Sequence, residues 1–506
     1  MARERSKNTI RNIIFGFVYR AIVMIIPFII RTIIIYKLGV EYVGINSLFV
    51  SILQVLSVAE LGFAAAINFA LYGPVAKNDT EKVRELVALL RSIYLIVGVV
   101  ITVAGLIVTP FIGFLVKGDV PADINLYLLY LIYLSNTVIT YFVYGYKNSI
   151  LNVYQRNDVI SKISSVVEIT RGLIQVGVLL LTKNYYIYIA MLPVFTLVSS
   201  LVTGYITNRM HPELNVKMKF SFKGIGAIKK QLGGIAIGRI SLVCRNSFDS
   251  IIISAVLGLT MTAIYSNYYL IFSSVTGFLT IFLTSMGASV GNSLVTESIE
   301  KNERDHRKFD FYYMFIIGFC TICMFGLYQP FMEIWVGKDL MFGYFTMILF
   351  CIYFYSNGLA QVRSVYSEAA GLWWHFRYFS IGEMVANLLL NIGLGIWWGV
   401  DGIIFATIIT SFVCSFVSIS IITYNKLFKC SAKKYFLLNA MYMLIVASIC
   451  VGVHFVLKYI PLEGWAKFGV AIPVSIGGGV VLFLAYLMIK ETRTYISEAT
   501  NIIRRR

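Results

Sequence analysis

The stretch Arg20-Ala-Ile-Val-Met-Ile-Ile-Pro-Phe-Ile-Ile-Arg-Thr-Ile-Ile-Ile-Tyr-Lys-Leu-Gly39 is apolar enough to cross a membrane, yet it carries two arginines. Shifted by 219 positions, Arg20 falls on Arg239, Leu38-Gly39 on Leu257-Gly258, Ile45 on Ile264 and Ser47 on Ser266. The match covers a helix, its exit turn and the start of the next helix, so it reads as an internal repeat of spans. A cation in hydrocarbon costs about 2.5 to 3.5 kcal/mol even on the most lenient insertion scale, so a deep arginine faces a polar cavity or a partner helix. Two of them on related helices point to two half-bundles holding one anionic ligand, as in a transporter.

The rest of the chain agrees. Of 506 residues, 58% are apolar and 15% aromatic against only 13% charged, which is a membrane composition and leaves no room for a sizeable soluble domain. The expected fold class is an all-α integral membrane protein of about 14 transmembrane helices, from apolar stretches that begin near residue 12 and end near 489. They include a second span over 44–72, a fourth over 124–146, and an eleventh and twelfth over 378–399 and 402–424. Basic residues sort by side. With the N-terminus inside, segments predicted cytoplasmic hold 31 of the 43 Lys and Arg, the opposite loops six (Lys37, Lys117, Lys183, Lys338, Lys458 and Lys467), and the spans six. Both termini are therefore expected in the cytoplasm of a multi-pass protein of the cell membrane. The net charge of +18 is mostly this topology signal plus attraction to anionic membrane lipid; scattered over short loops, it forms no groove for nucleic acid. The Met1 to Lys7 arm leads into a span too long for a cleavable signal peptide.

The linker over 209–230 divides six spans from eight. The segment from Glu297 to Lys308 mixes both charge signs and reads as a solvated helix extension. Seven cysteines imply no disulfide framework, and the Cys320–Cys323 pair lies in an apolar run with no second ligand pair, so neither a metal nor a cofactor is expected. No phosphate-cradling glycine loop of the ATP-binding kind is present.

Charged residues inside spans are few enough to weigh singly. Arg20 and Arg239 each lie roughly 13 Å from the cytoplasmic end of their helix, too deep for easy snorkelling, and read as ligands for an anion or as partners of another helix. Arg245 has Asp249 one turn on, and Arg171 has Glu168 three residues before it, so local pairing competes with a ligand role in both. Arg31 lies about three turns beyond Arg20 on the same face, as a further handhold or a snorkelling end residue. Arg363, close to the cytoplasmic end and near Glu368, reads as snorkelling. Glu60 has no base within a turn on its own helix; it is either a structural partner of Arg20 or a proton- or sodium-coupling carboxyl, with Glu383 and Glu333 as lesser candidates. Tyrosine is abundant, with 33 copies, and clusters at Tyr127, Tyr130, Tyr133, Tyr141, Tyr144 and Tyr146, where rings can meet sugars or simply pack.

Three further stretches carry a resemblance. Leu38-Gly-Val-Glu-Tyr-Val-Gly-Ile-Asn-Ser-Leu-Phe49, Leu56-Ser-Val-Ala-Glu-Leu-Gly-Phe-Ala-Ala-Ala-Ile67 and Tyr72-Gly-Pro74 resemble the opening of bacterial capsule, exopolysaccharide and O-antigen repeat-unit flippases, members of the multidrug/oligosaccharidyl-lipid/polysaccharide exporter superfamily. Tyr144-Gly-Tyr-Lys147 and Asn152-Val-Tyr-Gln155 extend it more loosely. The resemblance implies two pseudo-symmetric six-helix lobes, over 1–208 and 231–430, joined by the 209–230 linker, with two additional helices and a tail over 431–506. It also implies a substrate: undecaprenyl-diphosphate-linked oligosaccharide. The partners to be expected are polysaccharide polymerase and glycosyltransferases.

Guanidinium groups suit pyrophosphate oxygens, so Arg20, Arg239, Arg245 and Arg31 are the expected pyrophosphate contacts, with Glu60, Asp249, Glu168 and Arg171 in coupling or pairing. A cell-wall precursor flippase of the same superfamily is the nearest alternative. An ion-coupled drug exporter fits less well, because deep arginines outnumber acids. An enzyme such as a membrane glycosyltransferase would need a long outer loop with acidic residues, and no outer loop exceeds about a dozen residues.

Overall fold

The computed structural model describes residues 2–60, 63–118, 120–215 and 229–504, and within them the side chains of 2–18, Arg20, 59–60, 63–66, 69, 229–235, 288 and 499–504 lie outside the described residues. Among the described residues there is no strand. Two compact units divide the chain, Met1–Ser266 and Asn267–Arg506.

The first unit holds α1 (Ala2–Lys37), α2 (Val40–Leu56), α3 (Phe63–Ala76), α4 (Thr80–Val108), α5 (Leu126–Phe142), α6 (Lys147–Val153), α7 (Asn157–Thr182), α8 (Tyr185–Met210), α9 (Lys229–Leu257) and the start of α10 (Leu259–Thr296). The second holds the remainder of α10, then α11 (Ile299–Val336), α12 (Tyr344–Gly358), α13 (Gln361–Ala369), α14 (Trp373–Thr410), α15 (Ile419–Thr423), α16 (Lys433–Lys458), α17 (Gly464–Met488) and α18 (Lys490–Arg504). The seventh span, which the sequence reading placed after the linker, thus packs with the first unit, where α9 lies against α2.

Short polar side chains start several helices by taking the free N–H groups of the first turn. Asp79 accepts from Lys82 N at 3.0 Å, Asn184 from Ile187 N at 3.2 Å and Ser298 from Lys301 N at 3.2 Å. The repeat is visible in the backbone. Gly39 (φ 134°) separates α1 from α2, and Gly258 (φ 95°) separates α9 from α10, so each Leu-Gly pair breaks its helix at the equivalent place in a conformation that costs glycine nothing.

Ten helices among the described residues are long and apolar enough to cross a membrane, or eleven if α5 and α6, bent by 55° at their junction, count as one. The chain is a multi-pass membrane protein, and the described residues do not confirm the count of fourteen spans. One reason is the second span. It does not run through 44–72: α2 stops at Leu56, a tighter 3₁₀ turn covers Ser57–Glu60, and α3 begins at Phe63. At that stop the Ser57 hydroxyl donates back to Leu53 O at 2.8 Å, a local bond that competes with continuing the ladder. Another is the helical stretch Trp373–Phe428, 56 residues, which contains the expected eleventh and twelfth spans; it turns at Gly399 (φ 64°), and a Cβ on Gly402 would strike Leu394 O.

Candidate functional site

The interior of the first unit is lined by hydroxyls around one arginine. Arg31, on α1, donates from Nη1 to Ser266 Oγ at 3.0 Å. Its guanidinium lies within electrostatic reach of Tyr133 on α5 and of Tyr185 and Tyr188 on α8. These rings are themselves tied down. Tyr133 Oη donates to Asn46 Oδ1 at 2.7 Å and lies 3.2 Å from Tyr185 Oη, which donates to Tyr42 O at 3.1 Å. A phenol buried in a membrane protein keeps its hydroxyl satisfied in this way while its ring packs; Tyr42 meets Tyr185 edge-on at 4.9 Å and Phe49 meets Tyr133 at 5.5 Å. Arg31 is half-buried, and its guanidinium is tied to Ser266 inside the first unit.

Next along α10 from Ser266 is Tyr265, whose hydroxyl donates to Asp249 Oδ2 at 2.8 Å. Asp249 and Arg245 are both buried on α9, one turn apart. The seam continues toward α2, where Ser47 and Ser250 hydroxyls meet at 3.5 Å and Ser247 Oγ donates to Gln54 Oε1 at 3.3 Å. Next to it a glycine lets the start of α10 approach α2: a Cβ added to Gly44 would collide with Leu259 O. At the far end of the same seam, Lys117 Nζ donates to Val256 O and Ser254 Oγ to Leu115 O, both at 2.7 Å.

Of the residues singled out from the sequence, Arg31 joins the tyrosine cage, with Arg171 near it through Tyr188, and Arg245 and Asp249 line the adjoining seam. Arg171 does pair with Glu168 along α7. Arg239 is exposed on α9 and is not brought to Arg31 by any contact among the described residues. The side chains of Arg20 and Glu60 lie outside the described residues. Arg363 overturns its reading. Only 3% exposed, it does not snorkel but donates to Ser415 O at 3.0 Å inside the second unit, with Glu383 and Glu368 as its charged neighbours.

That second unit carries a polar ladder which reading by charge missed. Ser415 Oγ donates to Glu383 Oε2 at 2.7 Å; one face of α14 continues with Asn387, which donates to Thr407 Oγ1 at 2.9 Å, and Asn391, which donates to Asn387 Oδ1 at 3.3 Å. The spacing Glu383, Asn387, Asn391 is a helical i, i+4, i+8 stripe, a signal that was present in the sequence. Also missed was Lys147. It is 1% exposed, donates to Asn208 Oδ1 and sits 4.4 Å over the Tyr144 ring, where Tyr144 holds a left-handed φ of 54° between α5 and α6.

No family model matches the chain, and no curated protein does. Solved structures do match its fold. The lipid II flippase MurJ, in an inward closed conformation, superimposes with a TM-score of 0.61 at 14% identity, covering 95% of this chain and 99% of that one. An inward-facing multidrug resistance MATE family transporter of the MOP superfamily gives 0.58 at 14% identity, covering 83% and 94%. A MOP superfamily transporter from Pyrococcus furiosus, described by the reverse polarity of its binding pocket, gives 0.56 at 14%, covering 84% and 97%. The fold is that of MOP-superfamily transporters.

Proposed function

We propose that the chain is a flippase that moves undecaprenyl-diphosphate-linked oligosaccharide repeat units from the cytoplasmic to the outer leaflet of the cell membrane during capsule or exopolysaccharide synthesis. The observation that carries this reading is Arg31, a cation deep in the first unit among Ser266 and three phenols. A pyrophosphate diester brings about two negative charges, which a guanidinium neutralises through charge-assisted hydrogen bonds, while hydroxyl-rich walls suit sugar. The transporter fold supports the reading, as does the resemblance of residues 38–74 to repeat-unit flippases. Export of two negative charges across an inside-negative potential of about 100 mV releases roughly 4 to 5 kcal/mol, so voltage alone can drive it. The protein performs no covalent chemistry in this scheme, and a polymerase would act on its product.

A second reading, a flippase for a cell-wall precursor, is favoured by the fold match to the lipid II flippase over nearly the whole of both chains. Purified protein in proteoliposomes decides between them. Movement of a polyprenyl-diphosphate oligosaccharide, with lipid II left in place, supports the first; movement of lipid II alone replaces it. Reporter fusions at Arg209, Lys301 and Lys434 reporting cytoplasm, and at Lys117 and Lys338 reporting the outer side, test the orientation that the scheme requires.

A further inference from the structure

Asp310 is a buried carboxyl in the second unit to which no ion pair is made among the described residues. It lies on α11, 3% exposed. Its Oδ2 accepts from Asn439 Nδ2, on α16, at 3.0 Å. The same amide nitrogen donates to Tyr435 O at 3.1 Å, so two acceptors agree on which end of the Asn439 amide is nitrogen. Two oxygens are left over. Asp310 Oδ1 and Asn439 Oδ1 are both buried and neither has a hydrogen-bond partner.

The surroundings offer no positive charge. Asp310 is faced by the phenols of Tyr355 on α12, Tyr424 in the turn after α15, Tyr435 and Tyr442 on α16, and Tyr486 on α17. The nearby bases are engaged elsewhere: Arg307 pairs with Glu303 at 2.7 Å, Lys308 with Glu498 at 2.6 Å on α18, and Lys434 with Glu491 at 2.5 Å, also on α18. Arg363 of α13 donates to Ser415 O, and His306 is bound through Nδ1 to Tyr424 Oη at 3.2 Å. An ionised Asp310 here would be an uncompensated charge in low dielectric, with Oδ1 and Asn439 Oδ1 both left without a hydrogen bond; the hydroxyls of Tyr355 and Tyr486 are likewise buried and make none.

We propose that Asp310 and Asn439 form a proton-binding site: Asp310 carries a proton at neutral pH and locks α11 to α16 as a carboxylic acid–amide pair. One proton on Oδ1 removes the charge and turns that oxygen from an acceptor into a donor, for which Asn439 Oδ1 is the waiting acceptor. The amide N–H to Oδ2 is the other half of the pair and is already in place. A metal cation fits poorly, since hard cations take about six oxygens and α11 runs unbroken through Asp310 with its carbonyls committed to the helix. Alkaline pH withdraws the proton and opens the contact that anchors α16. This inference does not rest on the flippase reading.

Infrared spectra of the purified full-length protein test it. The wild type at neutral pH is expected to show a protonated-carboxyl C=O band that is lost in Asp310→Asn. Asn439→Leu, which removes the N–H donor to that carboxyl, is expected to shift the band. Asp310→Asn supplies an N–H in place of the O–H, so it should fold, and its melting temperature should no longer fall as pH rises from neutral to alkaline. A wild-type spectrum indistinguishable from that of Asp310→Asn, or the same alkaline fall in melting temperature in both proteins, overturns the proposal. So does stabilisation by sodium at constant pH that vanishes in Asp310→Asn, which would put a metal ion in place of the proton.

Discussion

The two units arrange their interior polar groups differently. In the first, Arg31 lies among phenols and Ser266, with Arg171 beside Tyr188, while Arg245 shares α9 with the buried Asp249. In the second, a stripe of Glu383, Asn387 and Asn391 runs along α14 with the buried Arg363 beside Glu383, and Asp310 pairs with Asn439. Both are expensive to bury, but they prepare for different guests. A guanidinium ringed by hydroxyls is suited to an anion with sugars attached, whereas neutral amides and an acid bonded among themselves hold helices together and accept at most a small positive charge. The first unit is thus the place to look for substrate, and the second for stability and its dependence on pH.

The largest effect should come from Arg31. Changing it to Ala removes one or two charge-assisted bonds worth about 1.5 to 3 kcal/mol each, so export of lipid-linked oligosaccharide should fall by roughly 10- to 100-fold or more with protein abundance kept. Lys should rescue only in part, since an ammonium lacks the planar fork. Normal transport by Arg31→Ala, measured in proteoliposomes, would break the contrast between the units.

A second substitution sharpens it. In Asn387→Leu the ladder on α14 loses the donor to Thr407 and Thr410 and the acceptor used by Asn391. The expected cost is about 1 to 3 kcal/mol of stability, read as a lower melting temperature in detergent. Transport per folded molecule should be nearly unchanged. If instead transport collapses while melting is unaltered, the ladder belongs to a binding site and the second unit is not the structural half.

Packing gives the next test. Gly44→Ala puts a methyl against Leu259 O, in the seam where α2 meets the start of α10, and overpacking of this kind costs about 1 to 3 kcal/mol. Gly73→Ala meets nothing within 4 Å and should be tolerated. Equal melting temperatures for the two variants would show that the seam yields.

How far these features were legible in the sequence follows from their range. Helices, the Leu-Gly breaks at Gly39 and Gly258 and the Glu168–Arg171 pair are local, and periodicity or spacing reveals them. The cage around Arg31 was not readable, because Tyr133, Tyr185 and Tyr188 come from two other helices and 33 tyrosines offer no way to choose three. Arg363 was misplaced for a related reason. Its distance from a span end argued for snorkelling, but its acceptor, Ser415 O, is 52 residues away. The break after Leu56 was hidden by hydropathy, which is as high in α3 as in α2. Asp310 escaped because it follows directly on the charged run that reads as a solvated helix extension, while the aromatic residues that bury it come from α12, α16 and α17.

The smallest effect is expected at Lys338, which is one of the few basic residues assigned to the outer loops. Its ammonium lies 3.2 Å from Glu463 and 3.4 Å from Glu333, and the hydrogen bond to Glu463 followed by that to Glu333 holds its pKa above the ordinary lysine value. A raised pKa means that the folded state binds the proton more tightly, so the pairing stabilises below the ordinary lysine pKa and fades as pH rises through the folded value. The side chain is fully exposed, however, and water and salt screen such pairs almost completely. Lys338→Gln should therefore leave the melting temperature at neutral pH within experimental error, at low salt and at high salt alike. A clear drop confined to low salt would mean that the exposed pair contributes more than screened surface charges do, and that stability in the second unit is not confined to its interior.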